Sequence, residues 1–155
     1  MPEENLLIKD EEIEKVTFTT KDLDSEKIKQ ICDLKDSHWN FGHAQQLEWF
    51  KKNIQENDIH NLLYLRNSLV SYTALRKRIC KISYNETFDS NCLLFDTCIV
   101  RKDFRSTGIG NHLMHFNCKI ILQQKTFSIL ICKDNLLGYY KNFGWNRLEN
   151  EKITF

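Results

Sequence analysis

The strongest constraint on the fold is a strand, a glycine-containing turn and a long helix that follow one another in the second half of the chain. The apolar run from Cys92 to Val100 predicts a buried strand. After Gly108, apolar residues recur at helical spacing: Ile109, Leu113, Phe116, Ile120 and Leu122. A second apolar run, Phe127 to Cys132, predicts another core strand. Together these segments predict a β-α-β crossover within a mixed sheet.

The turn itself, Arg105-Ser-Thr-Gly108-Ile-Gly110-Asn111, has the composition of an anion-binding loop. A turn between a strand and a helix presents backbone N–H groups and a helix N-terminus to a phosphate. Gly108 and Gly110 lack a Cβ atom, which lets a phosphate approach the backbone, and Arg105 adds positive charge. The segment therefore predicts a pyrophosphate cradle, although a Gly-x-Gly at a helix entry is also compatible with any other α/β protein.

The remaining elements follow from local patterns. The alternating run Val16 to Thr20 predicts a first strand, and Asp24-Ser25 predicts the N-cap of a helix through about Leu34. The further predictions are a helix over Ala44–Gln55, hairpin strands over 62–66 and 69–75 joined at Asn67-Ser68, a polar loop over 84–90, a helix over Leu136–Phe143 that stops at Gly144, and a last strand over Ile153–Phe155. The order β-α-α-β-β-β-α-β-α-β predicts an α/β (α+β) fold with a mixed central sheet flanked by helices.

The composition is that of an ordinary globular protein. We expect a single domain over residues 1–155, with the acidic residues 1–14 frayed and ordered structure beginning near Lys15. A net charge of +1 gives no basic excess for nucleic-acid binding and no strong steering of a charged partner. The opening residues have no signal-peptide pattern, and no apolar run approaches the roughly 20 residues of a membrane span, so we expect a cytoplasmic protein without a membrane partner.

The six cysteines form no Cys-x-x-Cys pair, and nothing in the sequence indicates secretion. We therefore interpret them as small buried hydrophobic residues rather than as disulfides. His112 and His115 lie on the predicted long helix, and His38 and His43 lie in a predicted loop, but no Cys or acidic residue stands at a ligand spacing beside them. We expect no metal site.

Two motifs carry a resemblance to a known family. The run Val100-Arg-Lys-Asp-Phe-Arg105-Ser-Thr-Gly108-Ile-Gly110 resembles the cofactor motif of the GNAT N-acetyltransferase superfamily, in which a strand-ending Val stands five residues before Arg/Gln-x-x-Gly-x-Gly/Ala. About one crossover helix downstream, Tyr140-Lys-Asn-Phe-Gly144-Trp145 is similar to the family's Tyr-x-x-x-Gly-aromatic motif. The Gly-Trp ending weakly resembles the aminoglycoside N-acetyltransferase branch, although packing explains Trp145 equally well.

This resemblance implies the GNAT fold, acetyl-CoA as co-substrate without a metal, and acetyl transfer to an amine. The expected cofactor-binding residues are Cys98, Ile99, Val100, Arg105, Ser106, Thr107, Gly108, Ile109, Gly110, Asn111 and Asn135. In this assignment the backbone over 98–100 binds the thioester carbonyl and the pantetheine arm. Asn135 is alternatively explained by an Asx turn that starts the following helix.

Acetyl transfer to an amine needs a proton acceptor. An alkylammonium group with a pKa of about 10.4 must lose a proton before it attacks, and Asp96 is the candidate base, acting through water. Asp96 stands four residues before Val100, where many GNAT members carry Glu, and strict alternation places it on the same strand face as Cys98 and Val100. An ion pair with Arg76 or Arg78, or the orientation of a cationic substrate, is an equally weighted alternative.

The leaving thiolate needs a proton donor. By resemblance this donor is Tyr140, whereas Tyr139 is out of register with Gly144 by one residue and is assigned to packing. Cys98 as an acylated nucleophile is disfavoured because no activating base accompanies it in the sequence. We therefore expect direct attack of the amine within a ternary complex.

The acceptor site is expected, as in the family, between the first two helices and the strands opposite the cofactor. The loop Asp36 to His43 is the candidate lid, and its Trp39 and Phe41 are candidate substrate-binding residues that could stack on a sugar ring or clamp an aliphatic amine. Packing between the helices is the alternative for at least one of them. We favour a small-molecule amine, such as an amino sugar, over a peptide or protein acceptor and over a non-catalytic acyl-CoA sensor.

The predicted last strand could also pair with a second copy of the chain. Lys152 to Phe155, if exposed, offers an edge for a homodimer.

Overall fold

The structure, a computed structural model, describes residues 6–149 and 152–155. Its strands are β1 Ile13–Thr19, β2 Ile59–Leu65, β3 Ser68–Ser83, β4 Thr87–Val100, β5 Ser128–Leu130 and β6 Lys152–Thr154. Its α-helices are α1 Ser25–Trp39, α2 His43–Asn53, α3 Ile109–Gln123 and α4 Leu137–Lys141. The predicted element order and the α/β fold with a mixed sheet are confirmed.

The sheet has the spatial order β1-β2-β3-β4-β5, and β6 pairs with the far end of β3. All pairs are antiparallel except β4 and β5, which are parallel. A parallel pair needs a crossover connection, and α3 supplies it. The crossover places the turn between β4 and α3 at the end of β4, where the predicted cofactor loop lies.

The first helix is longer than predicted. The side chain of Asp24 accepts a hydrogen bond from the Lys27 N–H at 2.8 Å and caps α1, as expected. However, α1 continues through Trp39, because the sequence has no helix breaker before Gly42. The predicted loop over 36–43 is therefore wrong in extent: only residues 40–42 connect α1 to α2. Gly42 has a φ of 92°, a left-handed conformation that glycine adopts without strain.

The hairpins also differ from the prediction in detail. The turn between β2 and β3 is centred on Arg66 and Asn67, with φ values of 48° and 63°, rather than on Asn67 and Ser68. Such a left-handed pair fits the twist of a two-residue hairpin. The predicted polar loop over 84–90 shrinks to 84–86, because its exposed residues continue the β3–β4 pairing at the rim.

Helices cover both faces of the sheet. On one face, α1 and α2 bury a cluster that includes Ile31, Phe50, Leu62 and Tyr72. On the other face, α3 packs on the sheet, with Leu113 and Met114 fully buried. The buried amide of Asn117 donates to Thr73 at 3.0 Å and accepts from Asn61 at 2.8 Å, which fixes α3 against β2 and β3.

The N-terminal segment is docked on the predicted cofactor loop. The Ile8 N–H donates to the Thr107 carbonyl at 2.9 Å, and His112 Nε2 lies 3.1 Å from the Ile8 carbonyl oxygen. Regular structure therefore begins with a 3₁₀ turn at Asp10–Glu12 and with β1 at Ile13, slightly before the expected start near Lys15; residues 1–5 lie outside the described residues. The apolar side chains of this segment, which the acidic composition obscured, include Ile8 packed against the core.

All six cysteines are free thiols; Cys32, Cys80 and Cys92 are buried and the other three are half-buried. Within residues 6–149 and 152–155, no group of three or more His, Cys, Asp or Glu side chains is arranged to hold a metal ion. Over the same residues, no helix combines the length and the hydropathy that spanning a membrane requires.

Candidate active site

The parallel strands β4 and β5 separate after three paired residues. Leu93–Phe95 of β4 pairs with Ser128–Leu130 of β5, where β5 ends. Strand β4 continues to Val100 with β3 on its other side. In the described part of the chain no strand occupies this edge over 96–100, so its backbone groups can pair with an extended ligand.

A β-bulge at Thr97 divides β4 into two parts. Ala74 is opposite Asp96 and Thr73 is opposite Cys98, so Thr97 has no partner on β3, and its φ is 55°. A bulge inserts one residue and so inverts the alternation of side chains beyond it. The prediction that Asp96 shares a face with Cys98 and Val100 is therefore wrong.

The two faces of β4 consequently carry different groups. Cys98 lies on the α3 face, with its Sγ 3.9 Å from the sulfur of Met114. Ile99 belongs to the cluster under α1 and α2, and Val100 returns to the α3 side. Asp96 lies on the face of α1 and α2.

The turn after β4 leaves several backbone N–H groups without a partner in the helix. Ser106 and Gly108 have φ values of 63° and 91°, which bends the chain into the start of α3. The N–H of His112 is the first to bond within α3, to the Gly108 carbonyl at 3.1 Å. The N–H groups of Ile109, Gly110 and Asn111 therefore form the open N-terminus of a long helix, which favours an anion. This is the geometry that a pyrophosphate cradle requires.

Arg105 links this turn to the end of α1. Its Nη2 donates to His38 Nδ1 at 3.0 Å, and its Nε donates to the Val100 carbonyl at 3.3 Å. Burial and the neighbouring cations Arg105 and Lys102 lower the pKa of His38. A neutral imidazole suits this contact, because its Nδ1 must accept from a guanidinium. Thr107 also stabilises the turn, since its hydroxyl donates to the Phe104 carbonyl.

Two tyrosines on α4 lie beside β4 and the turn that follows it. The ring of Tyr140 lies edge-on to Phe95, with centroids 6.2 Å apart, and is partly buried against the core cluster of the α3 face. Tyr139 is the more exposed, and its hydroxyl lies 3.6 Å from where a Cβ on Gly110 would be. Burial, and to a lesser degree the Cys98 thiol, raises the pKa of both phenols. Tyr139 therefore reaches the cofactor turn, which its assignment to packing did not anticipate.

Two other predicted donor-side residues are Asn135 and Cys98. Asn135 is exposed in a single 3₁₀ turn, Asp134–Leu136, that leads into α4. Burial raises the pKa of the Cys98 thiol to about 11, although a hydrogen bond with Thr73 acts in the opposite direction. At neutral pH such a thiol is protonated and a poor nucleophile.

A pocket of about 350 Å³ lies on the other face of β4, under α1 and α2. Its lining residues are Lys35, Trp39, Phe41, Gln45, Gln46, Trp49, Asp96 and Thr97. Both aromatic residues predicted for the acceptor site are thus among them, together with Asp96. A larger cavity, of about 490 Å³, lies near the end of α3 and is lined by Gln55, Lys77, Arg78, Asn91, Cys92 and Gln124 among others, none of which belongs to the predicted site.

Asp96 is held by one of the two predicted basic neighbours. Arg76 Nη1 donates to Asp96 Oδ2 at 2.9 Å, and both side chains are partly exposed. Arg78 instead pairs with the buried carboxylate of Asp58 at 2.7 Å. The second oxygen of Asp96, Oδ1, accepts from the Thr97 hydroxyl at 3.3 Å, so this oxygen faces the bulge and the pocket.

Sequence reasoning missed five residues of this pocket. Thr97 lies on β4, and the other four come from α1 and α2: Lys35, Gln45, Gln46 and Trp49. Lys35 stands four residues after Ile31 and three after Cys32, on the apolar stripe of α1. A charged residue on such a stripe is a signal that could have identified it.

No protein-family model matches this sequence, and no curated protein matches it. Solved structures do match. A possible acetyltransferase from Clostridium difficile 630 superimposes with a TM-score of 0.67 at 13% identity, over 88% of this chain and 92% of that chain. The aminoglycoside N-acetyltransferase AAC(6')-Iy in complex with CoA gives a TM-score of 0.66 at 10% identity, over 88% and 90%.

A third match is an aminoglycoside acetyltransferase from an uncultured soil metagenomic sample, in complex with sisomicin. It gives a TM-score of 0.62 at 13% identity, over 90% of this chain and 92% of that chain. The fold of this chain is therefore that of GNAT-type acetyltransferases, and the fold that the two motifs implied is confirmed.

Proposed function

We propose that the protein is an N-acetyltransferase that moves the acetyl group of acetyl-CoA to the primary amine of a small molecule, such as an amino sugar or a related metabolite. The observation that carries the proposal is the arrangement around β4. An open strand edge leads to an anion-binding turn, and a pocket with a carboxylate lies across the bulge at Thr97. The two substrates of an acetyl transfer would meet at this point.

The donor would lie along the cleft between β4 and β5. In our proposal the pyrophosphate of acetyl-CoA accepts hydrogen bonds from the N–H groups of the turn over 105–111, and the pantetheine arm pairs with the β4 edge over 98–100. The left-handed Gly108 supports the turn, and Gly110 keeps the backbone accessible. Asn135 lies in the 3₁₀ turn that precedes α4, and we propose that it contacts the cofactor.

The acceptor would enter the pocket under α1 and α2. Its ammonium group loses one proton before attack, and we propose that Asp96 takes it through a water molecule. The amine nitrogen then attacks the thioester carbon; a C–N bond forms, the C–S bond breaks, and the nitrogen releases its second proton to solvent, from which the Tyr140 phenol that protonates the thiolate is restored. The ion pair with Arg76 keeps Asp96 in place near the bulge.

The leaving thiolate takes a proton from Tyr140. Because burial raises the pKa of Tyr140 well above its usual value, the phenol stays protonated at neutral pH and can donate. Direct transfer is favoured over an acetyl-cysteine intermediate, since the pKa of Cys98 is raised to about 11 and its side chain lies on the α3 face, away from Asp96.

The proposal is tested by measuring thiol release from acetyl-CoA with a broad panel of primary amines. Turnover with at least one amine is expected. Asp96→Asn should lower kcat about ten-fold or more with little change in coenzyme A affinity, whereas a rise in KM alone would identify Asp96 as a substrate anchor. Asp89→Asn, at an exposed carboxylate on the same strand, is the matched control.

Two negative results have different meanings. If the protein binds coenzyme A but releases no thiol from acetyl-CoA with any amine, the function is that of an acyl-CoA sensor and not that of an enzyme. Absence of coenzyme A binding, measured by calorimetry, would contradict the donor site itself.

A further inference from the structure

The acceptor pocket is lined by a lysine that the proposed mechanism does not use. Lys35 is only 5% exposed, and its Nζ lies 3.8 Å from the centre of the Trp49 ring. Within the described part of the chain, this ammonium makes no hydrogen bond and no ion pair. A cation over an indole face is stabilised, but its three N–H donors remain without an acceptor.

A second donor lies on the facing helix. Gln46 is 4% exposed and lines the same pocket, and its buried Nε2 has no hydrogen-bond partner among the described residues. Buried donors are normally satisfied. Lys35 on α1 and Gln46 on α2 therefore offer donors for which a ligand could supply acceptor atoms.

Positive charge exceeds negative charge among Lys35, Arg76 and Asp96. Arg76 is paired with Asp96, which leaves Lys35 as a cation without a carboxylate of its own. Burial lowers the pKa of Lys35, and the more distant Asp96 partly offsets this effect. A ligand that brought a negative charge to Lys35 would remove the cost of burying the ammonium.

These observations also restrict what the pocket can take. A polycationic amino sugar would bring several ammonium groups toward Lys35 and Arg76, with one carboxylate, already paired, to receive them. The ammonium groups of such a ligand would repel Lys35 and Arg76, and the low polarity of the aromatic walls would strengthen this repulsion. A molecule with one amine and one acid avoids this conflict.

Building on the proposed function, we propose that the acceptor is a primary amine that also carries a carboxylate, and that Lys35 binds this carboxylate. The amine would lie toward Asp96 Oδ1 and Thr97, and the body of the molecule would stack on Trp39 and Phe41, which are exposed at the pocket mouth. A pocket of about 350 Å³ fits a molecule of amino-acid size.

The test uses matched pairs of free amino acids and their carboxamides, with aromatic and aliphatic side chains, together with the polycation sisomicin. We expect at least one free acid to be acetylated with a kcat/KM about ten-fold or more above that of its carboxamide, the range of one hydrogen bond to a charged group. In Lys35→Met the ratio should fall to near one, and in Lys35→Arg part of it should remain. Lys29→Met, at an exposed lysine on the same helix, should keep the wild-type ratio.

The inference would be overturned by equal or better turnover of carboxamides or sisomicin in the wild-type protein, or by an unchanged acid preference in Lys35→Met. Calorimetry of the same acid and carboxamide pairs with the coenzyme A complex decides the question independently of turnover. If acids bind in preference to carboxamides and yet no thiol is released, the recognition by Lys35 stands and the proposed transferase activity fails. If turnover is found but only with amines that lack an acid, the activity stands and the recognition fails.

Discussion

Asp96 and Cys98 are two residues apart on β4, yet their side chains lie on opposite faces of the sheet, because Thr97 between them forms a β-bulge. Asp96 lines the pocket under α1 and α2, and Cys98 contacts Met114 on α3. The segment around Thr97 can therefore present its backbone to one ligand and the Asp96 carboxylate to another. In the proposed reaction, this is how donor and acceptor come together without competing for the same side of the strand.

The bulge provides a first prediction, which concerns stability. Thr97 holds a φ of 55°, a conformation that costs a β-branched residue about 1–2 kcal/mol. Thr97→Gly should remove this strain, but it also loses one long hydrogen bond to Asp96 and gives the unfolded chain the extra backbone freedom of glycine, so we expect stability in urea denaturation to change by less than about 1 kcal/mol. Thr87→Gly, in regular β structure on the same strand, has no strain to remove and should destabilise more. A loss of stability in Thr97→Gly as large as that in Thr87→Gly would show that Thr97 is not strained.

The two glycines of the cofactor turn should behave differently. Gly108 has a φ of 91°, so Gly108→Ala should cost about 1–2 kcal/mol of folding free energy. Gly110 lies in the first turn of α3, where an added Cβ meets only ordinary contacts with Tyr139 and Val100, at 3.6 and 3.8 Å. Gly110→Ala should therefore be neutral or stabilising by up to about 1 kcal/mol.

Coenzyme A affinity separates the structural role of Gly110 from its binding role. In the proposed donor site a Cβ at this position obstructs the approach of the pyrophosphate, so Gly110→Ala should weaken coenzyme A binding while the protein stays folded. Gly138→Ala, where a Cβ meets open space, is the control and should leave affinity unchanged. Full affinity in Gly110→Ala would place the pyrophosphate elsewhere.

The third prediction distinguishes the two tyrosines. Tyr140→Phe should lower kcat about ten-fold or more and leave KM for the acceptor and coenzyme A affinity nearly intact, because only proton donation to the thiolate is removed. Tyr139→Phe should have a smaller effect on kcat, since its hydroxyl lies at the turn beside Gly110. The opposite ranking would assign proton donation to Tyr139.

Much of this arrangement could be predicted from the sequence, because it depends on local patterns. The strand ending at Val100, the left-handed Gly108 and the helix after it follow from periodicity and from the special conformations of glycine. The element order follows from the same signals. The resemblance to a known motif adds the prediction of which ligand this turn binds.

The features that were missed depend on contacts between distant segments. No local pattern marks the bulge at Thr97, because it arises from the register between β3 and β4. Lys35 is recognisable on the apolar stripe of α1, but its position over Trp49 depends on how α1 packs against α2. The docking of Ile8 on Thr107 likewise joins residues that lie far apart in sequence.

The last prediction concerns acid stability and the buried His60. Its Nδ1 lies 2.7 Å from the Tyr72 hydroxyl and its Nε2 lies 2.8 Å from the Thr20 hydroxyl. Burial lowers the pKa of His60 to about 4 from an ordinary 6.5. Between these two values the unfolded chain binds a proton that the folded protein excludes, so stability rises with pH through this window and is lost on acidification.

A shift of this size corresponds to as much as about 3 kcal/mol between pH 6.5 and 4. Urea denaturation at a series of pH values should show this slope in the wild-type protein. His60→Gln should lower stability at pH 7, because buried hydrogen bonds are disturbed, but its stability should depend less on pH across the window. His115→Gln, at an exposed histidine, should retain the wild-type slope. An unchanged slope in His60→Gln would mean that other groups cause the acid sensitivity.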